Sequence, residues 1–224
     1  MSLARRTGAE FFGTALLLAA VVGSGIMGER LSGGNIAIAL LANSLATGAM
    51  LVALILTFGP ISGAHFNPAV TLASVFQDKF PLAEAMGYVC AQMLGAVAGV
   101  AAAHLMFGEP FFAASQHVRA GAAQLFSEFI ATFGLVLVIW SCVRHRSEAV
   151  PFAVGLYITG AYWFTGSTSF ANPAVTVARS LTNTFAGIRL VDTPGFVMAQ
   201  LLGTFAAIIL FRWLAPAIRL TADE

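Results

Sequence analysis

The stretch Asn67-Pro68-Ala69-Val70-Thr71 is repeated in the second half of the chain as Asn172-Pro173-Ala174-Val175-Thr176. Asparagine is a favoured N-cap residue, and proline suits the first turn of a helix, where its missing N–H costs nothing. Each copy therefore predicts the start of a helix. Because long apolar stretches flank both copies, we expect these two helices to begin inside a membrane.

The composition of the 224 residues excludes an ordinary soluble domain. Hydrophobic residues make up 58% of the chain and charged residues only 9%, whereas a soluble domain carries about 25% charged residues. The formal net charge is +1, so no nucleic-acid partner is expected. Cys90 and Cys142 lie in apolar stretches and are interpreted as small buried hydrophobic residues. We therefore expect one integral membrane domain, residues 1–224.

Six apolar stretches approach the roughly 20 residues that a helix needs to cross a bilayer. They lie near residues 8–28, 35–58, 82–107, 121–143, 149–166 and 194–215. Two further segments, about 68–77 and 173–182, begin at the Asn-Pro-Ala sites and are too short to span. A segment with such a helix must enter the membrane and return to the same side, and its free backbone groups must line a cavity. The prediction is an all-α membrane fold of six transmembrane helices and two re-entrant half-helices.

The two halves of the chain repeat each other. The run Glu10-Phe11-Phe12-Gly13-Thr14 matches Glu128-Phe129-Ile130-Ala131-Thr132, and Ala91-Gln92-Met93-Leu94-Gly95 matches Ala199-Gln200-Leu201-Leu202-Gly203. We assign the first repeat to residues 1–107, the second to 121–224 and a connecting loop to 108–120. Three spans per repeat invert the second copy, which brings the half-helices tip to tip. Two helix N-termini then give the centre a positive potential that opposes cations.

The distribution of basic residues predicts that both termini are cytoplasmic, because cytoplasmic loops carry an excess of Lys and Arg. That orientation places seven basic residues inside and four outside. The inside set is Arg5, Arg6, Lys79, Arg144, Arg146, Arg212 and Arg219, and the outside set is Arg30, Arg119, Arg179 and Arg189.

The paired Asn-Pro-Ala motifs, the paired Glu and Gln motifs and the run Ser62-Gly63-Ala64-His65-Phe66 resemble the aquaporin, or major intrinsic protein, family over nearly the whole chain. The resemblance implies a passive channel in the cell (inner) membrane, with the lipid bilayer as its surroundings. It further implies a homotetramer with one pore per subunit, no enzymatic activity, no cofactor and no metal site.

The resemblance also implies roles for particular residues. Asn67 and Asn172 would direct amide N–H groups into the pore. Backbone carbonyls would form two ladders, from Gly63, Ala64, His65 and Phe66 and from Thr168, Ser169, Phe170 and Ala171. Glu10 and Glu128, which lie inside spans, would anchor the two loops together with Gln92 and Gln200; a proton relay is the alternative for the carboxylates. His65 would line the cytoplasmic part of the pore or only bond to its loop.

The chain departs from the family at the outer filter. Aquaporins carry Arg directly after the second Asn-Pro-Ala, and this chain has Val175. Spacing from the two asparagines assigns the other filter positions to Thr47, Gly160 and Ser169. At Thr47 and Gly160 the alignment by spacing leaves open a shift of one helical turn. Such a filter would be wide and without ring or charge. Arg179 lies four residues after Val175 and could lean into the vestibule; the alternatives are snorkelling to lipid or pairing with Asp192.

The missing filter Arg favours a channel for small uncharged solutes with a relaxed size limit. It resembles the aquaglyceroporin-like channels linked to bacterial arsenic resistance, which implies trivalent metalloid hydroxides (arsenite, antimonite), polyols such as glycerol, and water as permeants. Thr176 stands where glycerol channels carry Asp, which counts against a glycerol specialist. The alternatives are an ordinary water and glycerol channel, an ion-leaky channel and a closed-pore structural membrane protein. No metal-ligand spacing, nucleophile beside a base or phosphate loop indicates an enzyme.

Overall fold

A computed structural model describes residues 1–215, so Arg219 and the end of the second repeat lie outside the described residues. Eight α-helices form the described part. They are α1 (Leu3–Leu31), α2 (Ile36–Ser62), α3 (Pro68–Gln77), α4 (Leu82–Phe107), α5 (Ala122–His145), α6 (Val150–Phe164), α7 (Pro173–Ala178) and α8 (Thr193–Leu214). Three 3₁₀ turns accompany them, at Ser147–Ala149, Arg179–Leu181 and Leu190–Asp192.

Five helical segments of the described chain are long and apolar enough to cross a membrane: α1, α2, α4, α5 and the segment Leu190–Leu214, which contains α8. The remaining predicted span, 149–166, is shorter than expected, because α6 has 15 residues and ends at Phe164. Its C-cap Thr165 is extended, and the chain there turns into the loop before α7. Together with the preceding 3₁₀ turn, α6 is about 28 Å long, close to the roughly 30 Å of a hydrocarbon core.

The two half-helices start where the sequence predicts. Asn67 and Asn172 are N-cap residues with extended backbone, and Pro68 and Pro173 occupy the first helical positions. The second half-helix differs from the expected 173–182, because its α-helical part stops at Ala178 and continues as the 3₁₀ turn Arg179–Leu181.

Packing follows the internal repeat. Helix α1 packs on α2 and α4, α5 packs on α6 and α8, and α2 packs on α6 across the two repeats. The matched glycines explain the close crossings, since a Cβ at Gly95 would lie 2.3 Å from the Phe11 carbonyl oxygen and a Cβ at Gly203 would lie 2.4 Å from that of Phe129. No side chain fits at either place, so α4 and α8 approach their partners backbone to backbone.

The outer surface of the bundle is apolar, with many large hydrophobic side chains exposed on α1, α2, α4, α6 and α8. Cys90 is exposed on this surface and Cys142 is half-buried. The interpretation of both cysteines as buried was therefore wrong. Lipid and the protein interior are similarly favourable surroundings for a small apolar side chain. An apolar stretch of sequence therefore does not predict whether a cysteine faces lipid or the interior of the bundle.

Candidate pore and selectivity filter

The N-termini of the two half-helices are cross-linked by their capping asparagines. The Oδ1 atoms of Asn67 and Asn172 accept bonds from the N–H groups of Ala69 and Ala174, each at 2.9 Å. The side-chain amide of Asn67 donates to the Ala171 carbonyl at 2.7 Å, and that of Asn172 donates to the Phe66 carbonyl at 2.8 Å. Each side-chain amide thus donates one N–H to the opposite loop and has a second N–H left for the cavity.

These cross-links correct the expected carbonyl ladders at their last step. The carbonyls of Phe66 and Ala171 accept from the asparagines, so each offers a solute only its second lone pair. The physical reason is that the two half-helices meet at their N-termini. Each capping asparagine then lies within hydrogen-bond distance of the last carbonyl of the other loop. The earlier members of the ladders, such as Ala64 and Ser169, are the less constrained acceptors.

Both loops hold left-handed backbone at equivalent positions. Such a conformation is strained for residues other than glycine, so it needs support from outside the loop. The φ angles are 89° at Gly63, 51° at Ala64 and 49° at Phe66 in the first loop, and 62° at Thr168, 50° at Ser169 and 47° at Ala171 in the second.

Two fully buried carboxylates supply that support. Glu10 accepts from the N–H groups of His65 and Phe66 at 2.9 and 2.6 Å. Glu128 accepts from those of Phe170 and Ala171 at 2.8 and 2.9 Å. Each carboxylate thus holds two adjacent amide groups of one loop and turns the intervening carbonyls toward the other side.

Each carboxylate is in turn held by a glutamine from the third span of its repeat. The amide of Gln92 donates to Glu10 at 2.8 Å and to the Thr71 hydroxyl at 2.9 Å. The amide of Gln200 donates to Glu128 at 2.6 Å and to the Thr176 hydroxyl at 2.8 Å. Thr176 therefore serves as an acceptor inside the second anchor.

A cavity of about 250 Å³ runs between the loops and the surrounding helices. Its wall contains most of the residues that the sequence analysis selected: Thr47, Gly63, Ala64, His65, Phe66, Asn67, Ser169, Phe170, Ala171, Asn172, Val175 and Arg179. Thr168 is half-buried and lies outside this wall. The anchors Glu10, Glu128, Gln92 and Gln200 lie behind the loops.

Gly160 was a wrong assignment for the filter. It is exposed on the outer surface, and a Cβ there would meet nothing within 4 Å. Ile158 and Tyr162 line the cavity instead. Two residues rotate a helix by about 200°, so a two-residue error in spacing moves the assignment to the opposite face. The Tyr162 hydroxyl lies 3.3 Å from Thr47 Oγ1, and sequence reasoning missed it because the spacing from Asn172 crosses an irregular loop.

Arg179 lies in the cavity wall and is 2% exposed. Its guanidinium carbon lies 3.4 Å from the centroid of the Phe170 ring, and its Nε donates to the Ala186 carbonyl. The two alternatives for this residue are wrong: burial excludes snorkelling to lipid, and Asp192 pairs with Arg189 at 3.0 Å. The structure thus places a cation one helical turn beyond Val175.

His65 contacts both the cavity and the first half-helix. It lines the cavity, and its ring nitrogens lie 3.1 Å from Thr71 Oγ1 and 3.4 Å from Ser74 Oγ. Ser74 and Asp78 also line the cavity. Sequence reasoning missed them, although their spacing of four and eight residues from Val70 marks one face of the first half-helix.

Comparisons with known proteins agree with this architecture. A family model described as Major intrinsic protein matches residues 1–169. A relative named Aquaglyceroporin AqpS, from Rhizobium meliloti (strain 1021), is 56% identical over 226 residues, which cover 99% of this chain and 97% of the relative. Aquaporin NIP1-4 from Oryza sativa subsp. japonica is 31% identical over 222 residues, which cover 96% of this chain and 77% of that protein.

The X-ray structure of the aquaglyceroporin from Plasmodium falciparum shares the fold. The two structures agree with a TM-score of 0.76 at 23% sequence identity, over 94% of this chain and 96% of that one. The likeness in fold, the family match over residues 1–169 and the relative that is 56% identical lead to one assignment. The chain belongs to the major intrinsic protein, or aquaporin, family, whose members are membrane channels and not enzymes.

Proposed function

We propose that the chain is a passive, aquaglyceroporin-type channel for small uncharged solutes: water, polyols such as glycerol, and the trivalent hydroxides of arsenic and antimony. The observation that carries the proposal is Val175 in the cavity wall, at the position where aquaporins carry the filter Arg. The valine side chain is shorter than an arginine side chain and donates no hydrogen bond. It leaves a wider opening, so bulkier solutes can pass.

The proposed filter consists of Thr47, Tyr162, Ser169 and Val175, with Arg179 in the vestibule. Ser169 belongs to the cavity wall, and its Oγ is buried without a hydrogen-bond partner among residues 1–215. The uncommitted O–H of the Thr47–Tyr162 pair is a hydrogen-bond donor for a solute, and the remaining amide N–H groups of Asn67 and Asn172 are two more. Neutral molecules with two or three hydroxyl groups match this arrangement.

The positive charges at the centre and in the outer part of the cavity favour neutral solutes over cations. Each half-helix N-terminus carries about half a positive charge, and the two meet at Asn67 and Asn172. Arg179 adds a buried cation to the outer part. This distribution counts against the alternative of a cation-leaky channel. Arsenous acid is neutral near pH 7 and presents three hydroxyl groups, so it avoids the electrostatic barrier.

Membrane placement and assembly complete the proposal. The repeats are residues 1–107 and 121–224, joined by the loop 108–120. Both termini lie in the cytoplasm, the location is the cell (inner) membrane, and four subunits assemble with one pore each. The basic-residue bias of the sequence supports this orientation, and the relative named Aquaglyceroporin AqpS supports the channel type.

Solute uptake into proteoliposomes tests the proposal. Wild-type protein is compared with protein-free vesicles, with Val175→Arg and with the matched control Val191→Arg, which adds the same charge at a position that is 74% exposed and outside the cavity wall. We expect uptake of both arsenous acid and glycerol by the wild type and by Val191→Arg. Val175→Arg should lower both fluxes much more than water flux.

Three outcomes would contradict parts of the proposal. Water flux without glycerol or arsenous acid uptake would indicate a strict water channel. Glycerol uptake without arsenous acid uptake would indicate an ordinary water and glycerol channel. Unchanged solute uptake in Val175→Arg would remove Val175 from the constriction.

A further inference from the structure

The backbone just before the first pore loop is held by a tyrosine. The Tyr88 hydroxyl, on α4, donates to the carbonyl of Ser62 at 2.8 Å. The same ring lies against His65, with centroids 5.2 Å apart. Ser62 immediately precedes the left-handed residues Gly63 and Ala64. The hydroxyl of Tyr88 therefore fixes the point at which the first carbonyl ladder begins.

The equivalent position in the second repeat lacks that hydroxyl. Since Gln92 matches Gln200, the residue four positions earlier, Tyr88, matches Phe196. The Phe196 ring lies against Phe170 with centroids 5.3 Å apart, which reproduces the ring contact of the first repeat. A phenylalanine has no donor, so the carbonyl of Ser167, the counterpart of Ser62, needs another partner.

Arg119 from the connecting loop provides it. Its Nη1 donates to the Ser167 carbonyl at 3.1 Å and lies 3.4 Å from the Thr168 hydroxyl. Its Nε donates to the Gly187 carbonyl at 2.8 Å. The guanidinium carbon lies 5.0 Å from the centroid of the Phe170 ring. One side chain thus bonds the start of the second ladder and contacts the ring on which Arg179 rests.

The connecting loop is fixed where Arg119 leaves it. The Arg119 N–H donates to Asp192 at 2.9 Å, and Asp192 is paired with Arg189. Further along the loop, the N–H groups of Ala113 and Ser115 donate to the carbonyls of Leu181 and Ser180, both at 3.0 Å. The loop therefore follows the segment after the second half-helix and can hold the arginine in one place.

We propose that Arg119 is a positioning residue of the outer filter and replaces the hydroxyl that Phe196 lacks. It does not line the cavity; it acts through the Ser167–Ser169 backbone and through Phe170. Loss of its bonds releases the left-handed residues Thr168 and Ser169, which moves the Ser169 hydroxyl and loosens the support of Arg179. The loop between the repeats is accordingly part of the filter.

The position of residue 169 can be measured without any assumption about the permeant. Ser169→Cys is introduced into a background of Cys90→Ser and Cys142→Ser, and the rate of thiol modification by a small methanethiosulfonate reagent is followed in purified protein. In this background we expect Arg119→Gln to raise the rate about tenfold, the change that corresponds to about 1.4 kcal/mol, within the range for one charge-assisted bond. Arg119→Lys keeps the charge without the fork and should give an intermediate rate.

Two further variants separate positioning from general damage. Arg30→Gln removes the same charge from an arginine that binds Glu109 of the connecting loop at 2.7 Å, away from the filter, and should leave the rate unchanged. Phe196→Tyr restores a hydroxyl at the site equivalent to Tyr88, so adding it to Arg119→Gln should return the rate to within about twofold of the parent. An unchanged rate in Arg119→Gln, or a raised rate that Phe196→Tyr does not reverse, would overturn the proposal.

A second experiment measures permeability. It rests on the proposed function, and its result is judged separately from the thiol rates. In proteoliposomes of the native cysteine background, Arg119→Gln should change the ratio of glycerol to water permeability severalfold, and Phe196→Tyr should restore it. If the wild type conducts no polyol, the proposed function fails, while the thiol rates still decide the role of Arg119. Altered thiol rates with an unchanged permeability ratio would contradict the link to selectivity.

Discussion

Thr47 on α2 and Tyr162 on α6 place their hydroxyl oxygens 3.3 Å apart at the wall of the cavity. The two helices belong to different repeats and pack on each other. One hydroxyl donates to the other, so the hydroxyl that accepts keeps a free O–H for a solute. This pair lines the same cavity as Val175 and Arg179 and belongs with them to the proposed filter.

Tyr162→Ala should widen this wall. We expect the permeability for a five-carbon polyol to rise severalfold relative to water, at a cost of about 3 kcal/mol in stability, because a large buried side chain is lost. The matched control is Gly160→Ala, since a Cβ at Gly160 contacts nothing within 4 Å. Stopped-flow light scattering on proteoliposomes measures both. An effect of Gly160→Ala equal to that of Tyr162→Ala would contradict the observed filter.

The sequence predicts the fold well because its signals are local and duplicated. The two Asn-Pro-Ala caps depend on i to i+2 bonding, such as the bond from Ala69 to Asn67 at 2.9 Å, and the match of Gly95 with Gly203 reflects one helix crossing made twice. Such features require no knowledge of distant contacts.

The outer filter is less predictable, because several of its members are placed by distant contacts. Gly160 was assigned by counting through the irregular segment before Asn172, and a small error in the count reverses a helix face. Arg119 is brought to Ser167 by a connecting loop, and no periodicity links these two residues. The cavity residues that were missed at the first half-helix, Ser74 and Asp78, did carry a helical signal.

Glu128→Gln should destabilise the second pore loop. The carboxylate accepts from Phe170 and Ala171, and an amide in its place presents a donor to one of these N–H groups. Bonds to a charged acceptor are worth about 1.5–3 kcal/mol each, so we expect a clear drop in the thermal unfolding temperature in detergent. Glu148→Gln, at an exposed position, should have no effect. Normal stability together with lost proton flux would favour the relay alternative.

Mercury sensitivity tests the placement of the cysteines. Neither Cys90 nor Cys142 is in the cavity wall, so wild-type solute flux should resist mercurials. Ser169→Cys places a thiol in the wall and should create inhibition that a reducing thiol reverses. Water permeability of proteoliposomes before and after treatment gives the answer. Strong inhibition of the wild type that Cys90→Ser or Cys142→Ser relieves would overturn the helix orientations.

Arg179→Ala should weaken the outer barrier to cations. The buried guanidinium repels a cation at about 4 Å by about 4 kcal/mol at an effective dielectric constant of about 20. Its removal should raise proton leak tenfold or more and change glycerol flux little. Arg30→Ala, at an exposed outer position, is the control. A proton leak in Arg179→Ala no greater than that of the control would show that Arg179 does not contribute to the barrier against cations.

This pore is proposed to conduct neutral hydroxylated solutes without carrying ions. The most direct measurement records glycerol uptake and proton entry in the same proteoliposomes, using light scattering and an enclosed pH dye under an imposed membrane potential. We expect rapid glycerol uptake with a proton leak equal to that of protein-free vesicles, because the half-helix N-termini at Asn67 and Asn172 and the guanidinium of Arg179 oppose cations. A proton or cation current well above that of protein-free vesicles in the wild type would contradict it.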